Sequence, residues 1–583
     1  MPTIQQVFQN TRRRDRLVAG ALFFATAIFV VWQNSRVAVL WDLSYLLDTS
    51  WRIALGQMPY RDFPLVHPPL TFLIQAALMR ILGRHYFVVI LYAALAGGFG
   101  TVLAWRIILR ILRDRVSMES MAWPVSLLLA APLCVVGIYS IYPHPIYDCD
   151  CALAVLLSIF LLQRCLSGES TGWIGAAVAG TTAVLPVFFK QNIGVPFLIV
   201  VIAGLLALLG TSLWAKDNTA LPQRSFLLKL LASVFGALAV GLTLIQISAG
   251  LGNYLHWTVQ FATQRRLPGV SDMLAVYVQP SFVWTLPCLG CGPVLLSTRL
   301  SRHRQSWITG AWITGTLLAV APFVASLIYL FFQYDADERA DNLLALWPLL
   351  LLAAGVVAFI ELRKGVTVRS LTPFWVLAAI HGTFLSQQLW GSTYAIWPLL
   401  MILVACMLAS FSSPSSRAVR MLAVVIGATF LVCGGLYAVS LERLKYVQAP
   451  DGELLRRATL PALRGMATRG PFLADFEELI QFAEREIPLN DCILLLPGEE
   501  PFYFATGRVP QFPVQIFDRT TDPYSADELM AEARRRGIRW VVVKTRLQSN
   551  ADPLPERAET LALLAREFVL YRRLAGYDVY LRR

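Results

Sequence analysis

Charge is scarce in this chain. Only 15% of its 583 residues are Asp, Glu, Lys or Arg, 56% are hydrophobic, and the mean hydropathy is +0.58. Soluble globular chains carry about 25% charged residues and roughly 45–50% apolar ones. That shortage excludes a soluble enzyme, a DNA-binding protein, a coiled coil and a disordered chain. Phosphate cradles are missing too. The sequence has no Gly-x-x-x-x-Gly-Lys-Ser/Thr and no Gly-x-Gly-x-x-Gly, so a nucleotide-driven reading loses its usual backbone nest. Neither His-Glu-x-x-His nor a paired Cys-x-x-Cys framework offers a zinc site. The one Cys-x-x-Cys, Cys288 to Cys291, lies in an apolar run without a second pair and reads as small core residues. A bridge between Cys149 and Cys151 would be strained. Internal repeats and low-complexity stretches are also missing.

What is present is apolar length. Blocks such as Leu17–Gln33 and Met421–Leu441 approach the ~20 residues that cross a bilayer core of about 30 Å. The net charge of +13 does not mark a nucleic-acid partner. Acidic and basic residues balance from Ser440 onward, so the excess lies before it, mostly in short loops between apolar blocks. There it reads as topology signal and lipid-headgroup contact.

The first 16 residues are polar and carry Arg12, Arg13, Arg14 and Arg16. No small-residue cleavage site follows the first apolar block, which reads as a retained span with a cytoplasmic N-terminus. Pro69–Leu82 has about 14 residues and is interrupted by Arg80, too short to cross comfortably. It reads as an interfacial helix on the outside, and Tyr86–Leu112 crosses back. Arg110, Arg113 and Arg115 then fall inside. So do Arg164; Lys216, Arg224 and Lys229; Arg299, Arg302 and Arg304; Arg363, Lys364 and Arg369; and Arg417 and Arg420. The count is about 13 spans. The tightest pair is Trp173–Phe189 and Ile193–Leu209, joined by Lys190, Gln191 and Asn192.

The expected fold class is a polytopic α-helical membrane protein with a small C-terminal α/β domain. Residues 1–16 form a cytoplasmic N-terminus, 17–440 the transmembrane domain with a first outer loop at 34–85, and 441–583 an extracytoplasmic domain. In the last part, Phe472–Glu486 and Ala526–Arg536 have helical periodicity. Cys492–Leu496, Trp540–Val543 and Tyr577–Leu581 read as strands.

Two outer loops concentrate the ionisable side chains. The first, Trp41–Gln75, holds Asp42, Asp48 and Asp62 with Arg52, Arg61 and His67. Trp41, Leu43, Leu46, Leu47, Trp51 and Ile53 predict an amphipathic helix in the interface, its acids toward water or a cavity. Gly56 and Pro59 break it, and Pro68–Pro69 starts the second helix. An amphipathic loop with solvated charges is the plain alternative. The second loop ends in Asp148-Cys149-Asp150 at the mouth of a span. Carboxylates at a membrane boundary tend to mark function. This pair suits a hard divalent cation such as Mg or Mn, or one carboxyl can hold a proton while the other stays charged. An ordinary helix start with acids near the positive dipole end reads equally well.

The aspartate soon after the first span, then Pro59-Tyr60-Arg61-Asp62-Phe63 and His67-Pro68-Pro69-Leu70, resembles the GT-C superfamily of membrane glycosyltransferases. The likeness is to its protein O-mannosyltransferase and aminoarabinose-transferase branch. It extends to two interfacial helices in the first outer loop, an acidic motif in the second, the span count and an outside C-terminal domain. Members of that branch often carry Asp-Glu at the first site, where this chain has Asp42-Leu43. The resemblance implies transfer of a sugar from a polyprenyl-phosphate donor to an acceptor at the outer face, whether protein, glycolipid or polysaccharide. A lipid-linked donor needs no nucleotide pocket. The attacking hydroxyl must lose a proton, and Asp42 is the expected general base. The leaving lipid phosphate gains charge and needs cations aimed at it. Lys190, Arg61, His67, Arg265 and Arg266 are the candidates, with a snorkelling lysine as the plain reading of Lys190. Asp148 and Asp150 would bind a divalent cation or orient the acceptor. A bacterial inner membrane fits the retained first span and the Arg-rich composition.

Other features read more simply. Tyr334–Asp341 is a solvated acidic loop. His381 and Gln387–Gln388 satisfy neighbouring helices. Tyr503, Phe504 and Arg508 pack the C-terminal domain against the membrane part. A polytopic transporter or lipid-linked-sugar flippase is the competing function, and a partner-binding scaffold a third. A transporter would place charges or broken helices near the midplane and show an internal repeat, whereas here the ionisable residues gather at the outer boundary.

Overall fold

The computed structural model describes residues 4–34, 40–114, 119–169, 172–214, 221–278, 280–296, 305–332, 336–385, 395–410, 416–439, 455–518, 521–547 and 555–583. Arg115, Lys216, Arg299, Arg302, Arg304, Gln387 and Gln388 lie outside them, as do the side chains of the acidic 334–341 stretch and of Arg266 and Arg417. The expected class holds: apolar helices come first and a small mixed sheet comes last. Among the described residues eight helices are long and apolar enough to cross a membrane. Shorter apolar helices such as Trp173–Phe189 and Trp397–Ser410 accompany them, and the expected count of spans is reached only if these cross as well.

Four helices open the chain: α1 (Ile4–Asn34), α2 (Leu40–Ala54), α3 (Leu70–Leu82) and α4 (Tyr86–Arg113). α1 and α4 approach closely because α4 is smooth where they meet. A Cβ on Gly98 would stand 2.7 Å from the Phe23 carbonyl oxygen, and one on Gly97 2.7 Å from that of Ile138. Thr26 and Thr101 exchange a 3.0 Å hydroxyl bond across the seam. With 13 residues, α3 is roughly 20 Å long, short of a ~30 Å hydrocarbon core. The arginine that interrupts it has a structural task. Arg80 donates to the Ala54 carbonyl at 2.7 Å and to that of Ile53 at 3.2 Å, which caps the end of α2.

The connection between α2 and α3 is a tight turn. Gly56 takes φ +98° and Tyr60 φ +68°. The Asp62 carboxylate accepts from the Met58 N–H at 2.7 Å, and the Tyr60 N–H donates to the Phe63 carbonyl at 2.9 Å. The Pro-Tyr-Arg-Asp-Phe run is therefore a self-closing turn that leaves Arg61 outside.

The C-terminal part has a two-stranded ribbon, β1 (Leu455–Arg457) with β2 (Ala467–Arg469). A four-stranded sheet follows, built from β3 (Cys492–Leu496), β4 (Ile538–Lys544), β5 (Phe568–Arg573) and β6 (Tyr577–Arg582) in the order β3-β4-β6-β5. β3 and β4 are parallel and the other pairs antiparallel. Between β3 and β4 the chain passes through the helix Ala526–Arg535, as a parallel pair requires. The strands alternate faces. Leu494, Leu496, Val541 and Val543 pack on Leu529 and Met530 of that helix. Ile493, Leu495, Trp540 and Val542 join a core that includes Leu43 and Leu47 of α2, Met79 of α3, and Tyr86, Val89 and Ile90 of α4. One face of the sheet thus shares its core with α2, α3 and the start of α4.

Candidate active site

α2 carries two stripes at helical spacing. Ser44, Asp48, Trp51 and Arg52 form one, and Asp42, Tyr45, Leu46 and Ile53 the other. The second stripe meets the residues that precede the helix Tyr147–Leu166. The Tyr142 hydroxyl donates to Asp42 Oδ2 at 2.9 Å. One turn along, the Tyr45 hydroxyl lies 3.2 Å from His67 Nδ1. The His67 carbonyl accepts from the Tyr60 hydroxyl at 2.7 Å, which ties the turn to the site. The His67 ring stacks on Tyr147 at 3.8 Å and 21°. The Lys190 ammonium lies 5.0 Å from the centre of the Tyr147 ring. Lys190 forms an ion pair with Asp148, and the two are 6% and 3% exposed. His67, Lys190 and Asp148 are therefore linked through Tyr147, and Asp42 stands one helical turn from Tyr45, which meets His67.

Lys190 reaches that place because the chain breaks there. It is the single non-helical residue between the helices Trp173–Phe189 and Gln191–Trp214. Those helices approach so tightly that a Cβ on Gly194 would meet the Pro186 carbonyl carbon at 2.2 Å. Gln191 then donates to the Thr258 carbonyl at 2.8 Å, fixing the turn against the π-helical stretch His256–Phe261. Tyr254, just before it, packs edge-on against Tyr60 at 5.1 Å.

Two of the expected roles change. Asp148 and Asp150 stand two residues apart on a helix, so their side chains do not face each other. Asp148 pairs with Lys190, while Asp150 accepts from Tyr92 and Thr71, each at 2.7 Å, and from Tyr139. A hard cation needs several oxygens converging on one point, and these oxygens diverge toward an ammonium and three hydroxyls. The pair does not fit the divalent cation expected there. Among the described residues no group of three or more His, Cys, Asp or Glu is arranged to hold a metal ion. Arg61 also changes role. It pairs with Asp62 at 2.9 Å on the exposed side of the turn. The Asp62 carboxyl is held low by that hydrogen bond, and the Arg61 guanidinium is raised by it. Arg265 is exposed and lies over Phe261 at 5.3 Å; the side chain of Arg266 is outside the described residues.

The other stripe of α2 turns to the C-terminal domain. Asp48 was expected to face water or a cavity, yet it is 2% exposed. Its two oxygens accept from the Phe504 N–H at 2.7 Å and the Tyr503 N–H at 3.2 Å. Arg52, 1% exposed, donates to the carbonyls of Pro513 at 2.6 Å and of Phe512. Tyr503 and Phe504 thus bear on the membrane part as expected. Arg508 instead turns inward, to the carbonyls of Ala483, Ile487 and Pro488. Sequence reasoning missed Tyr142, Tyr147 and Tyr45. The crowding of tyrosines in Ile138–Asp150 was the available signal.

Burial pushes the Asp48 carboxyl up from 3.8 to about 8, against the two N–H bonds and Arg52, and with a smaller push from Glu500. A carboxyl that keeps its proton longer when folded adds stability that is full below about pH 4. That stability is lost as the pH rises to about 8. Thermal unfolding in lipid from roughly pH 4 to pH 9 should therefore show the wild-type midpoint falling relative to Asp48→Asn, then running parallel above about 8. A constant difference across the range would show that Asp48 does not titrate there.

No protein-family model matches this sequence, and no curated protein sequence matches it. Solved structures align along most of its length. ArnT from Cupriavidus metallidurans bound to undecaprenyl phosphate is 14% identical, with a TM-score of 0.40 over 98% of each chain. The oligosaccharyltransferase of Archaeoglobus fulgidus in complex with Zn and sulfate is 12% identical, with a TM-score of 0.48 over 96% of this chain and 73% of that one. Archaeal AglB from the same organism, with an inhibitory peptide and a dolichol-phosphate, is 12% identical, with a TM-score of 0.44 over 97% and 74%. With TM-scores below 0.5, none of these alignments assigns a role to a residue here.

Proposed function

We propose that this protein is a membrane glycosyltransferase of the GT-C kind, moving a sugar from a polyprenyl-phosphate donor to an acceptor at the outer face of the membrane. One observation carries the reading: a half-buried carboxylate, Asp42, one helical turn from the tyrosine that meets His67, and a buried ammonium, Lys190, against the tyrosine on which His67 stacks, both at helix ends. The acceptor oxygen attacks the anomeric carbon and gives its proton to Asp42, with the Tyr142 hydroxyl holding the carboxylate in place. The anomeric carbon–oxygen bond breaks, its electron pair goes to the phosphate, and polyprenyl phosphate leaves. Lys190 neutralises the charge that develops there, its three N–H donors serving the phosphate and Asp148 together. His67, stacked on Tyr147, supports the donor headgroup. The acceptor belongs to the protein, glycolipid or polysaccharide classes. The N-terminus lies in the cytoplasm and residues 441–583 on the outside of a bacterial inner membrane, following the arginine-rich loops.

A transfer assay on the purified protein in lipid tests this. It uses a panel of polyprenyl-phosphate and polyprenyl-diphosphate sugars, with and without EDTA. Release of free polyprenyl phosphate or diphosphate identifies the donor, and the EDTA arm decides whether a divalent cation takes part. No consumption of any donor by folded protein would overturn the reading.

A further inference from the structure

The stripe Ser44, Asp48, Trp51, Arg52 leaves α2 little freedom to turn. The Ser44 hydroxyl lies 2.9 Å from the Gly498 carbonyl and 2.6 Å from that of Glu500. Asp48 takes the N–H groups of Tyr503 and Phe504. The Trp51 indole donates to the Arg508 carbonyl at 3.1 Å, and Arg52 reaches Phe512 and Pro513. The loop that Ser44 grips is itself anchored. Lys544, at the end of β4, holds Glu499 at 2.7 Å and also pairs with Glu500, all three buried. The Tyr577 hydroxyl donates to Glu500 at 3.0 Å. A rigid path therefore runs from the sheet through residues 498–504 to α2, and Asp42 stands on the next stripe of the same helix.

We infer that Asp48 and Ser44 are positioning residues. Through them the C-terminal domain sets the rotation of α2 and so aims the Asp42 carboxylate, which makes the domain a working part of the site. The inference rests on the glycosyltransferase reading, because it acts through Asp42 as the base. A helix turned about its axis moves a side chain by an ångström or more, and a misplacement of 1 Å can lower a rate by about 100-fold. Donor binding rests chiefly on Lys190, which α2 does not carry, and reaches α2 only through the Tyr45–His67 contact, so it falls less than the rate.

The test uses the full chain in lipid with whichever polyprenyl-phosphate sugar the wild type consumes. Ser44→Ala and Asp48→Asn are compared with Met530→Ala, which loosens the other face of the sheet. Single-turnover rate, donor affinity and thermal midpoint are measured for each. The expected result is a rate loss of roughly 10- to 100-fold for Ser44→Ala and Asp48→Asn, with a much smaller change in donor affinity. Met530→Ala should lower the midpoint at least as far and keep the wild-type rate. If rate follows midpoint across all three, or if Ser44→Ala and Asp48→Asn keep the wild-type rate, the positioning role is overturned. Should the wild type itself consume no donor, the glycosyltransferase reading fails instead.

Discussion

Replacing Asp42 by asparagine should abolish sugar transfer and leave the fold intact. The amide oxygen can still accept the Tyr142 hydroxyl bond, and the side chain is nearly the same size, so the packing around α2 has no reason to change. The lost property is basicity. A positioned general base contributes about 10²–10⁴-fold to a rate, and that is the expected fall in single-turnover release of polyprenyl phosphate. The thermal midpoint should stay within a degree or two, roughly the change that a few tenths of a kcal/mol produce. An Asp42→Asn protein that transfers sugar at the wild-type rate would remove Asp42 as the base.

The second large effect is expected at Lys190. Lys190→Met leaves Asp148 as a buried charge without its ammonium, and breaking such a pair costs about 3–5 kcal/mol. Loss of activity in that variant alone would say little. The double variant Asp148→Leu with Lys190→Met separates the two roles, because replacing both partners of a buried pair by apolar residues of similar volume is often nearly neutral. Its thermal midpoint should return close to that of the wild type. Its affinity for the donor should not, since a hydrogen bond to a charged group contributes about 1.5–3 kcal/mol, roughly a 10- to 150-fold loss. If the double variant recovers both stability and donor affinity, Lys190 is a structural cation and the phosphate is held elsewhere.

Much of this molecule was legible from local pattern. Apolar length marked the membrane helices, and α3 was readable as a short helix because Arg80 interrupts it. The strands Cys492–Leu496 and Trp540–Val543 showed as short apolar runs between helical stretches, and they sit side by side in the sheet. Lys190 could be singled out because a charge at the end of an apolar run is conspicuous, and Asp42 because the first loop resembles that of a known family. What could not be read was pairing across distance. Asp148 and Asp150 looked like a bidentate site because they are adjacent in sequence, but the helical turn sends them to different partners, Lys190 and the Tyr92–Tyr139–Thr71 cluster. Arg61 looked like a phosphate ligand until the turn closed on Asp62 and left it outside. Asp48 read as an acid turned to water or a cavity; the N–H groups that hold it lie 455 and 456 residues later, beyond the reach of local pattern.

That separation bears on how the protein is made. Leu43 and Leu47 find their core partners in Ile493, Trp540 and Phe504, on chain synthesised long after α2 has left the ribosome. Contacts of such length form late, because the loop-closure entropy comes before any reward. Until the last strands pair, α2 has one stripe packed and one bare. A chain stalled or truncated before β4 would hold its membrane helices yet expose Leu43 and Leu47, and Asp42 would ride on a helix free to roll.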